Sequence, residues 1–148
     1  MRKFGLCLPL LFLAAASCEA GRDAEPIQIG HDACSTCRMT IVDDRYGGEV
    51  ISAKGKVFKF DTLECLSQFH SRAAEKPAAS FAVHFAHPGR FLRLDDAVVT
   101  HAPSRTGPMG SSLVAFQSVD EARAVLVGAK RACSRSCNRG DPERPRSP

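Results

Sequence analysis

Short apolar runs alternate with turn-forming clusters along most of this chain, and only two stretches carry a helical rhythm. Met39 to Val42 is brief and rich in β-branched residues, which predicts a strand. Asp43-Asp44-Arg45 then turns, and Tyr46-Gly47-Gly48 continues as loop. Glu49 to Ala53 and Val57 to Phe60 flank Lys54-Gly55-Lys56, a hairpin pattern. Asp61 and Thr62 are placed to cap a helix with Glu64 in its first turn. Leu63, Leu66, Phe69 and Ala73 recur at three and four, so that helix buries one face against the hairpin, and Lys76-Pro77 ends it.

The second half of the pattern is similar. Phe81 to Phe85 alternates as a strand, His87-Pro88-Gly89 turns, and Phe91 to Leu94 extends again. Asp95-Asp96 opens either a helical turn or a further strand over Ala97 to His101. Ser104 to Ser112 is a Gly/Pro/Ser loop containing Met109, and Leu113 to Gln117 is a strand. Ser118 caps a last helix whose apolar face is Val119, Ala122, Val125 and Leu126. Strand and helix do not alternate regularly, so the fold class is α+β with mainly antiparallel strands. The order fits two small halves, residues 30–78 and 79–129, each a few strands with one helix in a ββαβ-like arrangement.

The remaining residues read differently. Arg2 and Lys3 precede an apolar run from Leu6 to Leu13, and Ala14, Ala15, Ala16 and Ser17 lead into Cys18. This is a secretory signal over residues 1–17, and small residues directly before a cysteine resemble a lipobox that makes Cys18 the lipidated N-terminus. Leu usually stands three places before such a cysteine, where this chain has Ala15. Glu19, not Asp, follows Cys18, which by resemblance to bacterial lipoproteins directs the protein to the outer membrane, on its periplasmic side. Residues 18–29 form a polar tether, and residues 130–148 a basic tail expected to be disordered.

Charge follows that division. The net charge of +4, from 20 Lys and Arg against 16 Asp and Glu, comes from the ends. Residues 1–17 carry +2, residues 130–148 carry +4, and the body between carries −2. A nucleic-acid binder places its basic surplus on the folded body, so that class is excluded. No apolar run reaches the roughly 18 residues of a spanning helix. No Ser-His-Asp order or phosphate-binding glycine loop points to catalysis, and Asp43-Asp44 and Asp95-Asp96 read as turn and cap residues.

Cysteine is the informative residue. Of seven cysteines, Cys7 leaves with the signal and Cys18 is blocked. Five remain, Cys34, Cys37, Cys65, Cys133 and Cys137, an odd number in an oxidising compartment. Cys34, Cys37 and Met39 place two thiols and a thioether within six residues, and soft sulfur donors select Cu(I). If Cys37 to Met39 is extended, the two side chains share one face. A C-x-x-C redox pair, half of a zinc site and a structural disulfide compete with the copper reading, although zinc would leave Met39 unused. Met109 tilts the balance: it stands in Gly107-Pro108-Met109-Gly110, where packing demands no flexible hydrophobe. Cys65, on the helix beside Leu66, reads as a buried small hydrophobe. His31, His84, His87 and His101 stand singly, and a lone histidine is more often a surface or core residue than a ligand.

The run Cys34-x-x-Cys37-x-Met39-x-Ile41, then Gly55-Lys56-Val57-Phe58-Lys59-Phe60-Asp61 with Cys65-Leu66, resembles the NosL family. So does Pro108-Met109-Gly110 followed by Leu113-Val114-Ala115-Phe116. The resemblance spans roughly residues 30 to 129 plus the lipobox. It implies a membrane-anchored periplasmic copper chaperone of two related α+β halves. Such a protein binds Cu(I) and, through a membrane complex, supplies the copper-accepting apo-enzyme, nitrous oxide reductase, with its copper sites. Cys37 and Met39 match the family's cysteine-methionine pair and Met109 its later methionine. Cys34 is a less regular member, and the tail with Cys133 and Cys137 has no counterpart. The expected protein is a carrier and not an enzyme, with Cys37, Met39, Met109 and Cys34 as metal ligands. The rival class is an extracytoplasmic thiol-disulfide protein using Cys34 and Cys37.

Overall fold

The computed structural model describes residues 23–103 and 105–127. The signal peptide, the Cys18 lipidation site and the tail with Cys133 and Cys137 lie outside the described residues.

The predicted hairpin forms. β1 (Gly48–Ile51) pairs antiparallel with β2 (Val57–Phe60), Gly48 opposite Phe60 and Ile51 opposite Val57. Gly55 takes φ +77° in the turn, a conformation that favours glycine, and Lys56 N–H donates to Ser52 Oγ at 3.0 Å. β3 (Ala79–Val83) adds to the other edge of β1, and β4 (Phe91–Arg93) adds to β3, giving an antiparallel sheet in the order β2-β1-β3-β4. β3 and β4 thus join the sheet of the first hairpin, and pairing runs across residues 78 and 79. A second sheet holds β5 (Val98–His101) and β6 (Leu113–Phe116). Asp95 and Asp96 lie in the turn before β5, so the strand alternative holds there. His84 bridges to Ala115 and links the two sheets.

Helix α1 (Leu63–Arg72) covers the first sheet. Thr62 caps it by accepting from Cys65 N–H at 3.2 Å. Leu63, Cys65 and Leu66 pack with Val50, Phe60 and Ala82, while Phe69 lies against Phe58 and Phe60. The opposite face of the sheet carries Ile51, Ala79 and Phe81. A second helix, residues 119–127, follows Ser118, whose Oγ accepts from Glu121 N–H at 3.2 Å. Its Ala122, Val125 and Leu126 pack on a cluster with Tyr46, Phe85, Val114 and Phe116. Over the described residues the fold is α+β, with two antiparallel sheets and two helices.

Four local expectations are corrected. Gly48 opens β1 and is not loop: a Cβ there would meet Phe81 O at 2.4 Å and Leu66 Cδ1 at 2.7 Å, so the glycine lets helix and neighbouring strand approach. α1 ends at Arg72, with Ala73 extended (ψ 128°) and exposed, ahead of Lys76-Pro77. Val119 sits in the first turn of its helix and is exposed, outside the apolar stripe. Met39 to Val42 is not a strand; only Thr40 bridges, to Ala33, because the loop before it folds back on itself.

Candidate functional site

The Cys34–Met39 segment is a closed loop held by its own backbone. Arg38 N–H donates to Cys34 O at 2.9 Å, and Cys34 N–H donates to Met39 O at 2.8 Å. Arg38 takes φ 66°, in the left-handed region. With that reversal Cys37 to Met39 is not extended, so the alternation that would place the two side chains on one face of a strand does not apply. Cys37 turns inward and is half-buried; Met39 points out, 52% exposed. Two contacts dock the loop on the body: Ser35 N–H to Lys59 O at 2.8 Å and Thr36 Oγ1–H to Cys65 O at 2.9 Å.

Docking brings three sulfurs together. The Sγ atoms of Cys34, Cys37 and Cys65 all lie within 4.8 Å of one another, and all three are free thiols. Cys34 is fully buried and Cys65 is 8% exposed. Burial opposes ionisation of Cys34, yet the Asp61, Cys37 and Thr36 N–H groups and the Cys37 thiol donate to its sulfur, holding it below the usual thiol range. Cys65 goes the other way: burial, together with the neighbouring Cys34 and Cys37, pushes its thiol up to about 12 despite the Thr62 hydroxyl. Cys65 is buried as expected of a small hydrophobe, but its sulfur belongs to the thiol group. The sign available in the sequence was its position on the first turn of a capped helix in a chain with an odd thiol count.

Met109 approaches from the second sheet. Among the described residues only Arg38 and Met109 take positive φ without being glycine, Met109 at 55°. Backbone held in such a region persists only where surrounding contacts enforce it. Here Gly107 lies against Tyr46, where a Cβ would meet ring carbons at 2.6 Å. Glu64 supplies the other tie. Its carboxylate accepts from Ser111 Oγ–H at 2.6 Å and from Ser112 and Leu113 N–H, each at 3.3 Å. Burial would raise the Glu64 carboxyl, and these donors bring it below the usual range. Met109 is left 66% exposed, lining a cleft of about 330 Å³ with Thr62, Glu64, Cys65, Gln68 and Ser111. The α1 first turn therefore borders both the thiol group and the thioether loop. No sequence signal announced the Glu64–Ser111 contact, which joins residues 47 apart in the chain.

Histidine contributes differently. His31 and His101 are exposed, and His101 Nδ1 meets Ser112 Oγ at 2.9 Å. His84, His87 and Glu121 gather on the second sheet and its helix, His84 Nε2 standing 3.1 Å from Glu121 Oε1. Ala86 N–H donates to His84 Nδ1, which leaves Nε2 as the nitrogen that donates to Glu121. A metal-bound histidine needs the opposite arrangement, with its second nitrogen donating. This group is a hydrogen-bonded tie between strand and helix.

Comparison with known proteins follows the same outline. Among solved structures, the crystal structure of the copper chaperone NosL from Shewanella denitrificans is similar, with a TM-score of 0.61. The two share 20% sequence identity, over 72% of this chain and 87% of that one, which establishes a common fold. No curated protein sequence is significantly similar to the chain. The sequence profile of the NosL family matches residues 26–128, a span that includes the three clustered thiols, both exposed methionines and all six strands and two helices of the described residues. With that span covering well over half of its 148 residues, the chain belongs to the NosL family.

Proposed function

We propose that this protein is an extracytoplasmic Cu(I) carrier. It is anchored through Cys18 at the periplasmic side of the outer membrane, and it delivers copper for the maturation of nitrous oxide reductase. The observation that carries the reading is the pair of exposed thioethers beside a group of thiols, Met39 following left-handed Arg38 in the loop of Cys34 and Cys37, and left-handed Met109 sharing a cleft with Cys65. Thioether and thiolate together select Cu(I) over zinc or harder cations. Cys37, half-buried, is the thiolate ligand nearest the surface; Met39 and Met109 complete an open set, with Cys34 behind. An open position lets an acceptor's ligand enter before the carrier's ligands leave, so the ion passes by ligand exchange and no bond chemistry is catalysed. The similarity to a solved copper chaperone and the family membership support the cargo; the acceptor and the membrane complex follow from the family resemblance.

The thiol-disulfide alternative fits less well. A reactive C-x-x-C pair exposes its low-pKa thiolate at a helix N-terminus. Here the thiol held low is Cys34, wholly buried, and residues 35–37 form a turn with no helix after it. Measuring Cu(I) stoichiometry on the reduced protein in competition with a Cu(I) chelator tests the proposal. One Cu(I) per chain is expected, with affinity falling at least tenfold in Cys37→Ser and in Met39→Leu/Met109→Leu. Binding no tighter than background, or Met variants indistinguishable from wild type, would defeat it.

A further inference from the structure

The thiols and the thioethers lie at different depths. Met39 and Met109 are at the surface, Cys37 is intermediate, and Cys34 and Cys65 are buried. A metal–sulfur bond of about 2.3 Å places three trigonal sulfurs about 4.0 Å apart. The Cys34, Cys37 and Cys65 sulfurs, within 4.8 Å of one another, need only small side-chain rotations to reach that spacing. They come from three places, the start of the closed loop, its turn and the first turn of α1, and the loop is bonded to β2 through Ser35 and to α1 through Thr36. Backbone N–H groups of Thr36, Cys37 and Asp61 point at the Cys34 sulfur, and Cys65 sits at the positive end of a helix. Those dipoles offset the negative charge that several thiolates would place in a buried site.

We propose that Cys34, Cys37 and Cys65 form a three-thiolate floor that binds a soft cation in its own right, with Cys37 shared between this floor and the Met39/Met109 rim. The carried ion then has two resting positions, a deep one that retains it and a shallow one that releases it. This deepens the carrier reading and rests on it for the identity of the cargo. Each thiol that joins the ion forms a sulfur–metal bond and gives its proton to solvent; nothing is oxidised or reduced. Movement from floor to rim exchanges Cys34 and Cys65 for Met39 and Met109 while Cys37 stays bound, and the two sulfurs released take protons back from solvent. The exchange trades anionic sulfur for neutral sulfur, which weakens the hold on the cation.

Cadmium(II) tests the floor apart from the rim, since it favours thiolate strongly and thioether little. The reduced full chain with Cys7, Cys18, Cys133 and Cys137 replaced by serine is titrated with cadmium chloride, following the thiolate-to-metal charge-transfer absorbance. One ion per chain is expected. The affinity should fall at least tenfold in Cys34→Ala and Cys65→Ala and stay within about twofold in Met39→Leu/Met109→Leu. Cys65→Ala variants that bind cadmium as tightly as the parent would overturn the floor. Should those variants fail to fold, the Met39→Leu/Met109→Leu chain decides: X-ray absorption at the bound cadmium should find three sulfur neighbours, and two or fewer would overturn the proposal. Loss of the floor with methionine-dependent Cu(I) binding intact leaves the carrier reading standing. Three sulfur neighbours around cadmium without Cu(I) binding would reject the carrier and keep a soft-cation site.

Discussion

Glu64 ties the helix that carries Cys65 to the loop that carries Met109, and its removal tests whether that contact holds the two parts of the site together. Glu64→Ala strips an acceptor from the Ser111 hydroxyl at 2.6 Å and from two N–H groups at 3.3 Å. A hydrogen bond to a charged acceptor contributes roughly 1.5–3 kcal/mol; the Ser111 contact is of that kind, and the two longer ones add little. The expected loss at pH 7 is about 2 kcal/mol, which lowers Tm by roughly 8 °C for a body of this size. The pH dependence has a definite sign. The folded Glu64 carboxyl is held below its ordinary value, so the stabilisation is complete above the unfolded pKa of about 4.3. It fades as pH falls through the folded value. Wild type and variant should therefore melt about 8 °C apart at pH 7 and converge as the pH is taken below the carboxylate range, followed by far-UV circular dichroism. Amide exchange at Ser112 and Leu113 should quicken in the variant at pH 7. A Tm gap of the same size at both pH values would refute the carboxylate as the tie, and no gap at pH 7 would refute the contact itself.

Three further expectations concern the same frame. Gly107→Ala pushes a methyl into the Tyr46 ring, with no backbone strain since φ is −88°, and should cost roughly 1–3 kcal/mol while weakening Cu(I) but not cadmium binding; chelator competition and a thermal melt read both. Glu49 is wholly buried with Glu25 N–H at 3.1 Å from each carboxylate oxygen, and burial holds its carboxyl above the ordinary value. A raised acid loses its contribution as pH rises through the folded value, so Glu49→Gln should stabilise at pH 8 and not at pH 4, measured by urea unfolding. Finally, a bulky maleimide should label Cys37 first and leave Cys34 and Cys65 unlabelled until unfolding, because access and not thiolate character limits the buried pair; quantitative labelling of Cys34 in the native state would contradict the packing described.

Much of this protein is settled by local pattern. The hairpin turn at Gly55, the Thr62 cap, the three-and-four spacing of Leu63, Leu66 and Phe69 and the soft-sulfur run at Cys34 to Met39 are all short-range features. Each acts through neighbours within a few residues, so the sequence alone carries it. The α+β class follows from their order. Which sheet β3 and β4 join, the inward turn of Cys37 and the outward turn of Met39 do not follow, because they depend on strand pairing and on loop closure around Arg38. Gly48 looked like loop for the same reason: its lack of a side chain matters only against Phe81 and Leu66, which the sequence places 33 and 18 residues away. Cys65 shows the division most plainly. Its apolar neighbours on the helix marked it as core, and core it is; only the docking of the Thr36 hydroxyl on its carbonyl brings the other two sulfurs beside its own. The residue types capable of holding a soft metal were fixed by composition, and the depth at which each one sits was decided by packing between segments far apart in the chain.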